Sequence, residues 1–137
     1  MSENIFISSL LNGQPFQPSG AKLVIADWKA EGTPEGNEPM PIAPLHRHNV
    51  DDEAWYVLEG RLAFQIDDDI MEASAGQAVI VPSGKAHTYW NPAPEEARYL
   101  LIMTDTINTL IEEIHRSTDR SPDKMKQLFS KYESELL

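Results

Sequence analysis

Hydrophobic and polar positions alternate with a short period along most of this chain and with a longer one near its end. In Arg61–Ile66, "RLAFQI", Leu62, Phe64 and Ile66 take every second place, the period of a strand with one buried face. Similar runs of four to seven residues, rich in β-branched and aromatic side chains, lie on either side of it. They are "KLVIADW" from Lys22, "AWYVLE" from Ala54, "IMEAS" from Ile70, "AVIV" from Ala78, "HTYW" from His87 and "ARYLLIM" from Ala97. Gly, Pro, Asp or Ser punctuates the breaks, and Asp67-Asp68-Asp69 supplies a tight hairpin turn. No helix-period segment separates these strands, so an all-β antiparallel sandwich or barrel is expected rather than α/β.

After Thr104 the period lengthens. Ile107, Leu110, Ile111 and Ile114 fall at i, i+3, i+4 and i+7, one stripe of a helix. "RSTDRSPD" breaks that stripe, and Ser121 before Pro122 makes an N-cap and first-turn pair for a second helix carrying Met125, Leu128, Phe129, Tyr132 and Leu136. The expected organisation is a β domain over 1–104 with a C-terminal helical hairpin over 105–137.

Composition narrows the function. A chain of 137 residues suits one domain with a real core. It has no cysteine, which removes disulfides and thiolate metal sites. The net charge of −11 repels phosphate backbones. The tail holds seven acidic and five basic residues, a net −2 that leaves −9 on the β portion, so it lacks the basic face of a DNA-reading helix pair. Nucleic acid is excluded as a partner. No apolar run has the length of a membrane span, and "MSENIFISSLLNGQPF" has neither a basic n-region nor a small-residue cleavage site. A soluble, cytoplasmic protein with no membrane partner is expected.

The candidate chemistry lies in the histidines. Two of the four, His46 and His48, are one residue apart, and on a strand positions i and i+2 share a face. Alone, such a pair reads more readily as two surface histidines than as a ligand pair. Glu53 follows after the polar "NVDD", and His87 opens "HTYW" after "VPSGKA". Three imidazoles and a carboxylate at strand ends suit one divalent first-row transition metal: iron, manganese, nickel or zinc. Alternation then turns Trp55 and Val57 inward with Glu53, and Tyr89 inward with His87, while Arg47 faces out. His115 falls on the polar side of the tail helix and reads as a solvated surface residue.

Two longer patterns contain these residues. "HRHNVDDEAWYVLEG" reads H-x-H-x4-E-x6-G, and "GQAVIVPSGKAHTYWN" reads G-x5-P-x-G-x2-H-x3-N. At average Gly and Pro usage the G-P-G triplet alone arises about once in 4,000 starts. Both patterns resemble the two motifs of the cupin superfamily, and the fifteen residues between Gly60 and Gly76 fit its small single-domain members. One departure is Met40, which stands where the family often has a glycine six residues before the first histidine.

The resemblance implies a double-stranded β-helix, a jelly-roll barrel, with a metal in its wider mouth held by His46, His48, Glu53 and His87. It gives Gly60, Gly76 and Gly84 turn roles, sets Pro82 at the corner before His87, and leaves Asn91 to tie loops together. The tail is loosely similar to that of quercetin-dioxygenase-like cupins. That implies an oxygenase acting on a small aromatic or enolic compound, with Glu53 as base and Trp55, Tyr89 and Phe64 against the substrate. The acidic loop from Lys29 to Pro44 is placed to form a rim or lid. The alternatives are a non-oxidative isomerase or decarboxylase, and a barrel that binds a small molecule without turnover. The fold hosts all three. A homodimer is expected, with the helical pair packed on the outside of the barrel near or across the two-fold interface.

Overall fold

The computed structural model describes residues 5–137; residues 1–4, with which the expected β domain begins, lie outside the described residues. Among the described residues the strands are β1 (Pro15–Phe16), β2 (Leu23–Ala30), β3 (Ala43–His48), β4 (Glu53–Glu59), β5 (Arg61–Ile66), β6 (Asp69–Ser74), β7 (Ala78–Val81), β8 (His87–Trp90), β9 (Ala97–Thr104) and β10 (Ser134–Leu136). Two helices, α1 (Asp105–Arg116) and α2 (Pro122–Lys131), stand between β9 and β10. The strands form two five-stranded sheets, ordered β1-β2-β9-β4-β7 and β10-β3-β8-β5-β6, and the registered ladders are antiparallel. Neighbours far apart in sequence, such as β4 beside β9 and β3 beside β8, give the jelly-roll topology that the strand pattern and the motifs implied.

The period-2 pattern explains the core. Along β9, buried and half-buried residues alternate without exception, with Ala97, Tyr99, Leu101 and Met103 inward. They meet Val24 and Ala26 of β2, Trp55 and Val57 of β4, Leu62 and Phe64 of β5, and Tyr89 of β8 in one contiguous cluster. The hairpin between β5 and β6 closes in two residues: Ile66 pairs with Asp69, and Asp67 takes a positive φ of 51°. Gly60 joins β4 to β5 at φ 74°, where a Cβ would stand 3.1 Å from Ala97 Cα, so both conformation and space call for glycine.

Part of the outward face of the first sheet is also apolar, beside the ion pair of Arg98 with Asp27. Leu23 and Ile25 of β2, Leu100 and Ile102 of β9, Ala54 and Tyr56 of β4 and Ile80 of β7 lie on neighbouring strands in register, all half-buried or exposed. Leu23 and Ile80 are each 66% exposed.

The tail departs from expectation in two ways. α1 and α2 begin as read: the Thr104 and Ser121 hydroxyls accept from Ile107 N and Lys124 N, and Pro122 opens α2. The second helix, however, ends at Lys131, and Glu133 takes a left-handed φ of 56°. Leu136, read as helical, lies in β10, where Ser134, Glu135 and Leu136 pair with His48, Arg47 and His46. The free edge of β3 captures the chain end, and three residues are too few to carry a period of their own. Nor does the pair pack outside the barrel. Ile107 joins the main core, while Leu110, Leu128 and Phe129 form a second cluster that closes one end of the barrel. The apolar stripes are buried, but against the mouth.

Candidate metal centre

At that closed end, β3 delivers His46 and His48 to one face, β4 delivers Glu53 as its first residue, and β8 delivers His87 as its first residue. All four are at most 6% exposed, and their ligand atoms lie within 4.8 Å of one another. The turn carrying the second motif is tied directly to the first. Gly84 N donates to His48 O at 2.7 Å, and Ser83 N donates to Asp52 Oδ1 at 2.9 Å. Asn91 is loop anchorage, as read: its amide donates to Ala30 O and Glu95 O, and its carbonyl accepts from Ala93 N.

Hydrogen bonds fix the tautomer of each ring. His46 Nδ1 lies 2.6 Å from Pro44 O and His87 Nδ1 lies 3.1 Å from Lys85 O; a carbonyl only accepts, so both Nδ1 atoms carry hydrogen. His48 Nδ1 lies 2.7 Å from Ser134 Oγ, whose own hydrogen goes to Tyr132 O at 3.2 Å, so His48 also donates from Nδ1. The three Nε2 atoms are left to face inward. His46 Nε2 is 3.2 Å from His48 Nε2, and Glu53 Oε1 is 3.1 Å from His87 Nε2 and 3.3 Å from His48 Nε2. Lone pairs this close repel unless protons or a cation lie among them. Three imidazole nitrogens and one carboxylate oxygen are a donor set that a divalent first-row ion satisfies.

Electrostatics agree. Burial works against the charge of Glu53, but the hydrogen bonds and charges of His48 and His87 outweigh it and bring its pKa down to about 2. Burial foremost, then His87 and His48, lowers His46 to about 4. At neutral pH the site therefore presents an ionised carboxylate beside a neutral His46, the protonation states that metal binding requires.

The cluster opens into a cavity of about 220 Å³. His46, His48 and Glu53 line its inner end, with Tyr89 and Tyr99; its walls include Leu101, Ile107, Leu110, Ile111, Ile114 and Phe129. Of the three aromatic residues expected against a substrate, Tyr89 borders this space. Trp55 and Phe64 are wholly buried in the core, with Trp55 packed at 5.2, 5.3 and 5.7 Å from Phe64, Tyr89 and His87. The Lys29–Pro44 loop contributes only its two ends, so the covering comes from the helices. His115 is exposed as read, yet it sits at the cavity edge with its ring 6.3 Å from Trp28.

Sequence reasoning missed Ser134, Phe129 and Tyr99. Tyr99 was within reach, since it alternates with Leu101 and Met103 in a legible strand. Phe129, whose ring lies 5.8 Å from His46, belonged to a correctly read stripe with an unknown target. Nothing in the local sequence marks Ser134.

Residues 38–103 match the family model described as "Cupin domain". No curated protein matches the chain. Among solved structures, a cupin protein from Bacteroides fragilis is similar at 14% identity and a TM-score of 0.52, over 61% of this chain and 66% of that one. A Cupin 2 conserved barrel domain protein from Salinispora arenicola has 21% identity and 0.54, over 67% and 73%. A putative sugar phosphate isomerase from Acidithiobacillus ferrooxidans has 23% and 0.54, over 63% and 52%. The chain thus spans two thirds or less of two of these relatives, and at such identities the likeness is one of fold. The matched segment, just under half of the chain, is thus similar to the cupin domain; it carries both motifs, which converge on one buried cluster in a barrel whose fold these structures share.

Proposed function

We propose that His46, His48, Glu53 and His87 hold one divalent transition metal and that the chain is a metal-dependent oxygenase of a small aromatic or enolic compound. The observation behind this reading is the convergence of three Nδ1-protonated imidazoles and an ionised carboxylate at the inner end of a largely apolar cavity. When bound, the metal supplies Lewis acidity to a substrate oxygen. The chain's own residues do the rest. The barrel strands fix the ligand geometry, Ile107, Leu110, Ile111 and Phe129 keep water from the inner end, and Glu53, only on leaving the metal, serves as the base that accepts the proton of a substrate hydroxyl. Iron, manganese, nickel and zinc all suit the donor set.

The second reading is a non-oxidative isomerase or decarboxylase, in keeping with the sugar phosphate isomerase name of one fold neighbour. The apolar lining disfavours a phosphorylated substrate. A barrel that binds without turnover is the third reading. Protein loaded separately with iron, manganese or nickel is tested with catechols, diketones and flavonols in an oxygen-electrode cell. Turnover with oxygen uptake is expected; turnover without uptake selects the second reading, and binding alone the third.

Among the described residues, no helix is long and apolar enough to cross a membrane. We place the protein in the cytoplasm, and as a homodimer through the apolar part of the outer face of the first sheet, which a second copy would cover. Light scattering should then give twice the chain mass of 15.4 kDa.

A further inference from the structure

The cover of the cavity is attached to the barrel unevenly. α1 follows β9 directly, Asp105 N donates to Lys22 O at 2.9 Å, and Ile107 is part of the main core. α2 and β10 stand apart from that core. Among the described residues none of theirs joins it, and the connection over 117–121 is irregular, with Thr118, Asp119 and Arg120 exposed. Their apolar hold is the small cluster of Leu110, Leu128 and Phe129. Otherwise they are fastened to the edge of β3, the strand that carries His46 and His48.

The fastenings there fall on or beside candidate ligands. Ser134 and Leu136 stand opposite His48 and His46 in the ladder. Asn49 N donates to Glu133 O at 2.8 Å, and Leu137 N donates to Leu45 O at 3.0 Å. The Phe129 ring lies 5.8 Å from that of His46. The buried side-chain link is the bond of 2.7 Å from His48 Nδ1 to Ser134 Oγ, and Ser134 is 2% exposed. A strand of three residues is at the short end of its kind, and so small a unit opens locally at far less cost than the barrel unfolds.

Chemistry makes this link sensitive to what His48 holds. A cation on Nε2 draws electron density from the ring and strengthens Nδ1–H as a donor, as in other charge-assisted bonds. The same cation fixes the rings of His46 and His48, on which Phe129 and Ser134 rest. With β10 undocked, His48 Nδ1–H loses Ser134. Loss of such a partner behind a ligating histidine weakens metal binding about 10- to 100-fold. Coupling is reciprocal, so a bound ion favours the docked tail by the same factor.

We propose that α2 and β10 form a metal-dependent strap. An ion held by His46, His48, Glu53 and His87 docks β10 on β3 and closes the cavity with Phe129; its loss releases both elements from the mouth. This rests on the metal-site reading above and adds to it a control of access.

The test is amide hydrogen exchange of the full chain, metal-free and at saturating zinc, with zinc content measured on each sample. The readout is the ratio of exchange rates, metal-free over loaded, in peptides covering 128–137. Wild type should give a ratio of about 10 to 100 in β10, and the last turn of α2 should follow it. Ser134→Ala at full zinc content should bring the ratio below about threefold, since the cycle removes the coupling itself. Glu135→Ala, which removes only the exposed pair with Arg47, should keep the wild-type ratio. With zinc bound, four results overturn the strap and leave the metal reading standing. They are a wild-type ratio near unity, a change in β10 that α2 does not share, a ratio that survives Ser134→Ala, and one that fails in Glu135→Ala. Absence of bound zinc overturns the metal reading and this inference with it.

Discussion

The three histidines of the cluster are held in two different ways. His46 and His87 each donate Nδ1–H to a carbonyl two residues earlier in their own chain segment, Pro44 O and Lys85 O. His48 donates instead to Ser134, 86 residues away in β10. The barrel alone orients two of the imidazoles, and the tail orients the third. The same tail sets Phe129 on His46 and lines the cavity. A ligand set that looks local in sequence is completed by the far end of the chain, so the helices belong to the site that they cover.

The largest expected effect lies on the barrel's side of this comparison. In metal-free protein, burial first and His87 and His48 next hold His46 at about 4, against 6.5 for the unperturbed group. The unfolded chain takes up that proton below pH 6.5 and the folded chain only below about 4. Stability is therefore full above pH 6.5 and falls as the pH drops through that window, by about 3 kcal/mol. Urea melts at pH 7 and pH 4 measure the loss, and His46→Gln should flatten most of it. An equally steep loss in the variant would place the proton uptake elsewhere.

On the tail's side, Ser134→Ala leaves His48 Nδ1–H without its acceptor. Zinc affinity, read by chelator competition, should drop about 10- to 100-fold. The cobalt-loaded protein should show an altered visible spectrum, and Ser134→Thr should restore both. A structural defect alone would lower the melting temperature without that rescue. The smallest effect belongs to Arg47 and Glu135, which join β3 to β10 at 2.6 Å on the exposed side of the same ladder. Arg47→Ala should cost under about 1 kcal/mol in thermal melts and leave zinc affinity unchanged. A large change there would mean that the exposed pair, not the ladder and Ser134, docks the tail.

The division between barrel and tail also marks what the sequence makes legible. Strand periodicity yields β5 and β9 directly, and the two motif spacings place His46, His48, Glu53 and His87 on one cluster, because each rests on fixed short-range offsets. The start of α2 is legible from Ser121 and Pro122 for the same reason. β10 is not: "SEL" becomes a strand only because β3 has an edge to offer, a fact of tertiary structure. The helical stripes declare that they must be buried but not where, so the mouth of the barrel and its outside were equally open to them. Inward orientation placed Trp55 and Phe64 correctly in the interior; it does not distinguish a filled core from an open cavity, a distinction set by volumes across both sheets.

The claim on which all of this depends is that four side chains hold one metal. X-ray absorption on zinc-loaded protein, with metal content measured on the same sample, tests it most directly. One zinc per chain is expected, with three imidazole nitrogens and a carboxylate oxygen at about 2.0–2.2 Å, and His48→Ala should lose metal while keeping its fold by circular dichroism. Full zinc occupancy in that variant, or a wild-type spectrum without imidazole scattering, would contradict it.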